Sequence, residues 1–295
     1  MTDPFDGERT ALPGGAMTIG VARRIALRRL EAAGIDTPAP EALALLEAAT
    51  GLERSELMLR PERELDEGER LRLLDGLRRR VAREPLQHIL GTAPFYGLDL
   101  AVDATVLIPR PETERLVERV LEALEAVERP RVLDVGTGSG AIALAVRAER
   151  PDAVVMATDV APEAVALARR NAARLRLEVR VLRSDLLAEA EVAAFAAGCD
   201  VLVANLPYLP DTDEGTLQPE TDRDPALALY GGSDGLRHAR RLLLQAARLL
   251  PSGALLGLEL DPRNVHVALR EAGAWREARI ERDLAGRERF LLARR

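Results

Sequence analysis

Lysine is absent from this chain, cysteine occurs once and histidine three times. A single cysteine, Cys199, excludes an internal disulfide framework, and one cysteine with three histidines offers no cluster at metal-ligand spacing. Cys199 reads as a small apolar residue at the start of a strand. Without lysine, all 41 positive charges are arginine, a bias that suits a GC-rich genome better than a phosphate-binding device. No apolar run is long enough for a membrane span, and the N-terminal MTDPFDGERT has no basic segment followed by an apolar one. The chain is therefore expected in the cytoplasm. Its net charge of −7 gives no overall pull toward nucleic acid, although a local basic patch could persist inside an acidic protein.

Hydrophobic residues make up 47% and charged residues 30% of 295, enough for a substantial core and, at roughly 100 to 200 residues per domain, for two domains. Residues 1–16 carry Pro, Gly and Asp with little periodicity and are expected to form a flexible arm. From Thr18 to Arg83 apolar residues recur at spacings of three and four: Ile25, Ala26 and Leu30, then Ala42, Leu45, Leu46 and Ala49, then Leu71, Leu74, Leu77 and Val81. This pattern predicts a helical domain over residues 17–84, broken at Gly34, Pro38 to Pro40, Gly51 and Pro61. Residues 85–110 turn to Gly, Pro and β-formers with alternation at Leu98, Leu100 and Val102, and predict a β-hairpin linker. Phe95 and Tyr96 belong to its core in this reading. Pro111 sits at a favourable first helical position with Glu112 and Glu114 in the first turn, opening a helix to about Val127.

From Arg131 onward, apolar strands alternate with helices: RVLDVG and a helix from Ser139, AVVMATD and a helix from Pro162, EVRVLRSD and a helix near Glu189 to Ala197. DVLVANLPY, a long loop and a helix from Asp234 follow, then GALLGLEL with a helix from Arg263. Near-continuous apolar strands separated by helices indicate an α/β fold, a doubly wound and mostly parallel sheet over residues 111–295. ARIERDL and RERFLLARR read as two strands joined by a hairpin at Ala285 and Gly286 that closes the sheet edge.

Asp134, Val135, Gly136, Thr137, Gly138, Ser139 and Gly140 follow an apolar strand and open a helix, where an open α/β sheet binds its ligand. Glycine there allows close backbone approach and positive φ. The spacing is not that of dinucleotide folds, and by itself such a turn can be purely structural. Asp159 ends the next strand about 20 residues on, where a carboxylate can accept hydrogen bonds from two ribose hydroxyls. Asp185, with Leu186 beside it, ends the third strand similarly. Two carboxylates at successive strand ends are poorly explained by packing alone. As a set, these features resemble the class I S-adenosylmethionine-dependent methyltransferases. That resemblance implies S-adenosyl-L-methionine as cofactor.

The fourth strand ends in Asn205, Leu206, Pro207 and Tyr208. A planar nitrogen attacking a sulfonium methyl needs its two N–H groups pinned so that its face points at the carbon. The Asn205 side-chain oxygen and the Leu206 carbonyl can be the acceptors, and Tyr208 can wall the flat group. Alternatively, the tetrapeptide is only a strand-ending turn in which Pro207 forces Leu206 toward extended geometry. With PLQHILGTAPFYGLDLAVDATVLIPRPETER at 85–115 and the ending DLAGRERFLLARR, the chain is similar to the release-factor glutamine methyltransferases, the PrmC or HemK family.

That resemblance implies methyl transfer to the amide nitrogen of the glutamine in the Gly-Gly-Gln loop of peptide chain release factors, by a monomer without direct nucleic-acid binding. It also places Arg110 and Glu112 near the cofactor end of the cleft, although Arg110 could equally form only an interdomain salt bridge. Two departures stand out. The family usually carries Asn-Pro-Pro-Tyr, whereas Asn-Leu-Pro-Tyr is familiar from methyltransferases of adenine in ribosomal RNA, which is the alternative reading. ELDPRN at 259–264 also differs, since the family more often has a Gly soon after the Glu. His88, His238 and His266 are scattered and suggest no acid-base work, and no dedicated general base is evident.

Overall fold

The computed structural model describes residues 17–295; the arm expected before Met17 lies outside them. The chain divides into two compact units, one ending at Leu90 and one running from Gly91 to Arg295. None of the described helices is long and apolar enough to cross a membrane.

The first unit is helical: α1 (Ile19–Ala32), α2 (Pro38–Thr50), α3 (Arg54–Leu59), α4 (Glu67–Val81) and α5 (Leu86–Leu90). The sequence breaks act as punctuation. Pro38 opens α2, and Gly51 caps it in the left-handed region at φ 71°. Ile19, Ala22, Ala26, Leu30, Leu45, Leu46, Leu73 and Leu77 form the core. In α4 the buried stripe is Glu69, Leu73, Gly76, Leu77 and Arg80, so it is shifted in phase from the expected Leu71, Leu74, Leu77 and Val81, and Leu71 is exposed. Two charged residues cause the shift, because each is buried with a partner: Glu69 caps α4 and holds Arg63 at 2.7 Å, and Arg80 meets Glu41 of α2 at 2.5 Å.

Residues 86–90, expected in the hairpin, are helical. In the second unit the hairpin comprises β1 (Thr92–Phe95) and β2 (Leu98–Ala101), paired antiparallel with Phe95 opposite Leu98. The helix α6 (Pro111–Ala123) follows, four residues shorter than expected. Then come β3 (Arg131–Val135), α7 (Ala141–Glu149), β4 (Val154–Asp159), α8 (Pro162–Leu175), β5 (Val179–Arg183), α9 (Ala190–Ala196) and β6 (Val201–Asn205). After a long loop holding a short helix α10 (Ala226–Leu229) come α11 (Arg237–Leu249), β7 (Leu255–Glu259), α12 (Val265–Glu271), β8 (Glu277–Arg282) and β9 (Glu288–Arg294).

The seven-stranded sheet has the order β5-β4-β3-β6-β7-β9-β8. The first five are parallel, and β9 runs antiparallel to both β7 and β8. The terminal hairpin does close one edge, with β9 inside and the polar β8 outermost. Core lies on both faces: Leu133, Leu202, Leu256 and Leu291 on one, Val132, Val201, Val203 and Leu292 on the other. The chain leaves β3 toward β4 on one side and reaches β6 on the other. This is the switch point, and a crevice opens there at the carboxyl ends of the strands.

Candidate active site

Three glycines shape the turn after β3. Gly136, Gly138 and Gly140 have φ of 76°, 55° and 89°, so the chain cannot enter α7 at Ser139 and does so at Ala141. Beneath the turn Asp134 is fully buried. Its Oδ2 accepts from the Thr137 hydroxyl at 2.5 Å and the Ala143 amide at 3.2 Å. Burial pushes its carboxyl up to about 7. Asp134 thus ties the turn to the start of α7 from below and lies outside the cleft lining, as does Gly140.

Asp159 closes the turn from the side: its Oδ2 accepts from the Gly138 amide at 2.9 Å and its Oδ1 from Ala161 at 3.0 Å. It lines the cleft, and burial raises its pKa, opposed by those backbone amides. Asp185 pairs with Arg241 at 2.7 Å. Leu186 holds a left-handed φ of 54°, with its carbonyl accepting from the Ser184 hydroxyl at 2.8 Å.

The cleft, about 340 Å³, brings together Gly136, Thr137, Gly138, Ser139, Asp159, Asp185, Leu186, Arg110, Asn205, Leu206 and Pro207. Phe95, Val135, Ile142 and Val106 contribute apolar wall. At the end of β6, Asn205 donates from Nδ2 to the Thr113 hydroxyl at 3.1 Å, while its Oδ1 is buried without a hydrogen-bond partner. Leu206 is buried and fills the space above Gly136, where an added Cβ would meet its δ-methyl at 2.7 Å.

Two further expected site residues stand outside the lining. Tyr208 packs against the core, with its carbonyl held by Asn264 at 3.0 Å and its hydroxyl kept protonated chiefly by burial. Glu112 is drawn away by Arg287 at 2.9 Å. Arg110 does line the cleft, and its ion-pair partner is Asp224, 2.6 Å away on the loop after β6. Both belong to the second unit, so this pair is not interdomain. Burial drives the Asp224 carboxyl up to about 6 despite Arg110.

The cleft also contains residues not expected in it: Phe95, assigned to the hairpin core, His238, read as scattered, and Ser184, Leu227 and Arg241. His238 and Arg241 are one turn apart on α11, a spacing that puts both on one face. That spacing was the available signal. Burial, with Arg237 and Arg241 nearby, lowers the His238 pKa.

These residues fit an adenosyl ligand. Space is open at Gly138, where nothing lies within 4 Å of an added Cβ. A carboxylate sits at the end of β4, and the walls are largely apolar, as in ligand sites of this size.

Residues 113–217 match the methyltransferase small domain family, and 22–91 match the PrmC N-terminal domain family. The fold is also that of the hMettl16 catalytic domain solved with the MAT2A 3′UTR hairpin 1, with a TM-score of 0.56 at 16% identity over 75% of this chain and 80% of that one. The second unit is thus a class I methyltransferase, the class that uses S-adenosyl-L-methionine. Similarity to the release factor glutamine methyltransferase of Deinococcus radiodurans is 48% identity over 92% of this chain and 96% of that protein. To that of Moorella thermoacetica it is 42% over 95% and 99%. The chain belongs to the release factor glutamine methyltransferase family.

Proposed function

We propose that this protein transfers the methyl group of S-adenosyl-L-methionine to the side-chain amide nitrogen of the glutamine in the Gly-Gly-Gln loop of peptide chain release factors. The observation that carries this reading is the Asn205 oxygen, buried at the cleft wall and lacking a partner. A buried acceptor without a donor is costly unless a ligand satisfies it, and a primary amide brings such a donor. Bound in the cleft, S-adenosyl-L-methionine supplies a methyl carbon already activated by the sulfonium.

An amide nitrogen is a poor nucleophile because its lone pair is delocalised. Asn205 Oδ1 and the Leu206 carbonyl, accepting from its two N–H groups, raise electron density on nitrogen as the bond forms and hold its face toward the methyl. Leu206 acts through its carbonyl, so a leucine where the family usually has proline preserves the acceptor. Asp159 holds the ribose, the glycine turn accepts the rest of the cofactor, and Arg110, held by Asp224, borders the cofactor end of the cleft. The helical residues 17–84 dock the release factor.

Incubating purified release factor and, separately, ribosomal RNA with the enzyme and labelled cofactor tests the reading. Label in the release factor alone is expected. Label in RNA alone would refute it.

A further inference from the structure

The hydroxyl of Thr113, in the first turn of α6, stands between two side chains: its Oγ1 accepts from Asn205 Nδ2 at 3.1 Å and donates to Glu259 Oε2 at 2.8 Å. A hydroxyl has one proton, and an ionised carboxylate only accepts. With that proton committed to Glu259, Thr113 can offer Asn205 nothing but a lone pair. The Asn205 amide must then present its NH2 to Thr113 and its oxygen to the other side, where Oδ1 is found without a partner. Rigid elements hold the three groups. Asn205 and Glu259 are register partners on the adjacent strands β6 and β7, and Thr113 and Glu259 are almost entirely buried.

We propose that Thr113 and Glu259 are positioning residues that fix which end of the Asn205 amide faces the acceptor nitrogen. The inference rests on the glutamine-methylation reading and extends it to Thr113 in the cleft wall and Glu259 behind it. Flipped, Asn205 would point N–H groups at the N–H groups of the glutamine, turning an attraction into a repulsion. Glu259 has no place in the cleft lining, so it acts through Thr113.

The charged and titratable groups facing Glu259 are Arg289, Glu112, Asp283 and Tyr208. Burial dominates them and pushes its carboxyl up to about 7. Once protonated, Glu259 can donate to Thr113 and free the hydroxyl proton for Asn205 Oδ1. The orientation is then no longer imposed, and transfer slows as pH falls through about 7.

The test uses the full chain, S-adenosyl-L-methionine and purified release factor. Thr113→Val removes the lone pair at nearly constant shape. It should lower kcat by about 100-fold, the order of a lost preorganised contact, while the affinity for S-adenosylhomocysteine stays within about two-fold. Thr113→Ser, which restores the hydroxyl, should recover most of the rate. Glu259→Gln, a near-isosteric change available if the valine variant does not fold, should abolish the acid limb of kcat near neutral pH. A valine variant as fast as its active parent would overturn the inference, as would equal losses of rate and cofactor affinity, or an acid limb unchanged in Glu259→Gln. A parent enzyme that methylates no release factor would instead remove the functional reading beneath it.

Discussion

Gly136 and Gly138 lie in the same turn and both have positive φ, yet replacing each with alanine should have different consequences. Left-handed backbone costs a non-glycine residue roughly 1 to 2 kcal/mol at either position. At Gly136 the new methyl would also lie 2.7 Å from the Leu206 δ-carbon, and overpacking of that kind adds about 1 to 3 kcal/mol. Gly136→Ala should therefore destabilise the second unit by about 2 to 5 kcal/mol. Gly138→Ala should show the backbone part alone, since nothing lies within 4 Å of its added carbon. Its methyl should instead hinder the ligand, weakening S-adenosylhomocysteine by about tenfold or more, or 1.4 kcal/mol.

The single tryptophan, Trp275, is packed in the core of the second unit, so its fluorescence in urea reports that unit's unfolding. Calorimetry gives the affinities. Leu206→Ala combined with Gly136→Ala should cost about 1 to 3 kcal/mol less than the sum of the single changes, because it removes the colliding carbon. Additivity within about 0.5 kcal/mol would mean that Leu206 moves aside freely and would refute the reasoning.

Asp159→Ala should weaken S-adenosylhomocysteine by roughly 1.5 to 3 kcal/mol in calorimetry, through loss of charge-assisted hydrogen bonds and loosening of the Gly138 amide it holds; unchanged affinity would remove it from the site. Asn205→Ala should slow transfer by about 100-fold with cofactor binding nearly intact, and steady-state kinetics beside calorimetry would expose a structural role as equal losses of both. Glu259 has a folded pKa of about 7 against an ordinary 4.5, so its contribution to stability is present below about 4.5 and lost as pH rises through 7. Glu259→Gln does not titrate, so urea unfolding across that window should show the variant gaining on the parent as pH rises, by up to about 3 kcal/mol; a constant difference would contradict the buried, ionisable carboxyl.

The parallel sheet was legible because its strands are nearly continuous apolar runs, and the turn after β3 because three alternating glycines follow one of them. Asn205 and Asp159 were legible as cleft-lining residues because strand ends at a switch point border the crevice. What the sequence hid depends on burial of polar groups. The phase of α4 was misread because Glu69 and Arg80 look like surface residues until their partners Arg63 and Glu41 are in place. Asp134 looked like a contact in the cleft and is a strut beneath it. Thr113 and Glu259 are far apart in sequence; the pairing of β6 with β7 brings Glu259 beside Asn205, and the packing of α6 on both strands brings Thr113. Tyr208 fits the acceptor pattern by its position, yet its ring packs against the core and its carbonyl is held by Asn264.

On the proposed reading, a release-factor glutamine receives the methyl group under the control of Asn205. The most direct test is the mass of purified release factor before and after incubation with enzyme and S-adenosyl-L-methionine, followed by fragmentation to locate the change. One added methyl is expected, on the side-chain nitrogen of the Gly-Gly-Gln glutamine, with far slower addition by Asn205→Ala. An unmodified glutamine, with the methyl found instead on adenine of ribosomal RNA offered in competition, would contradict that reading.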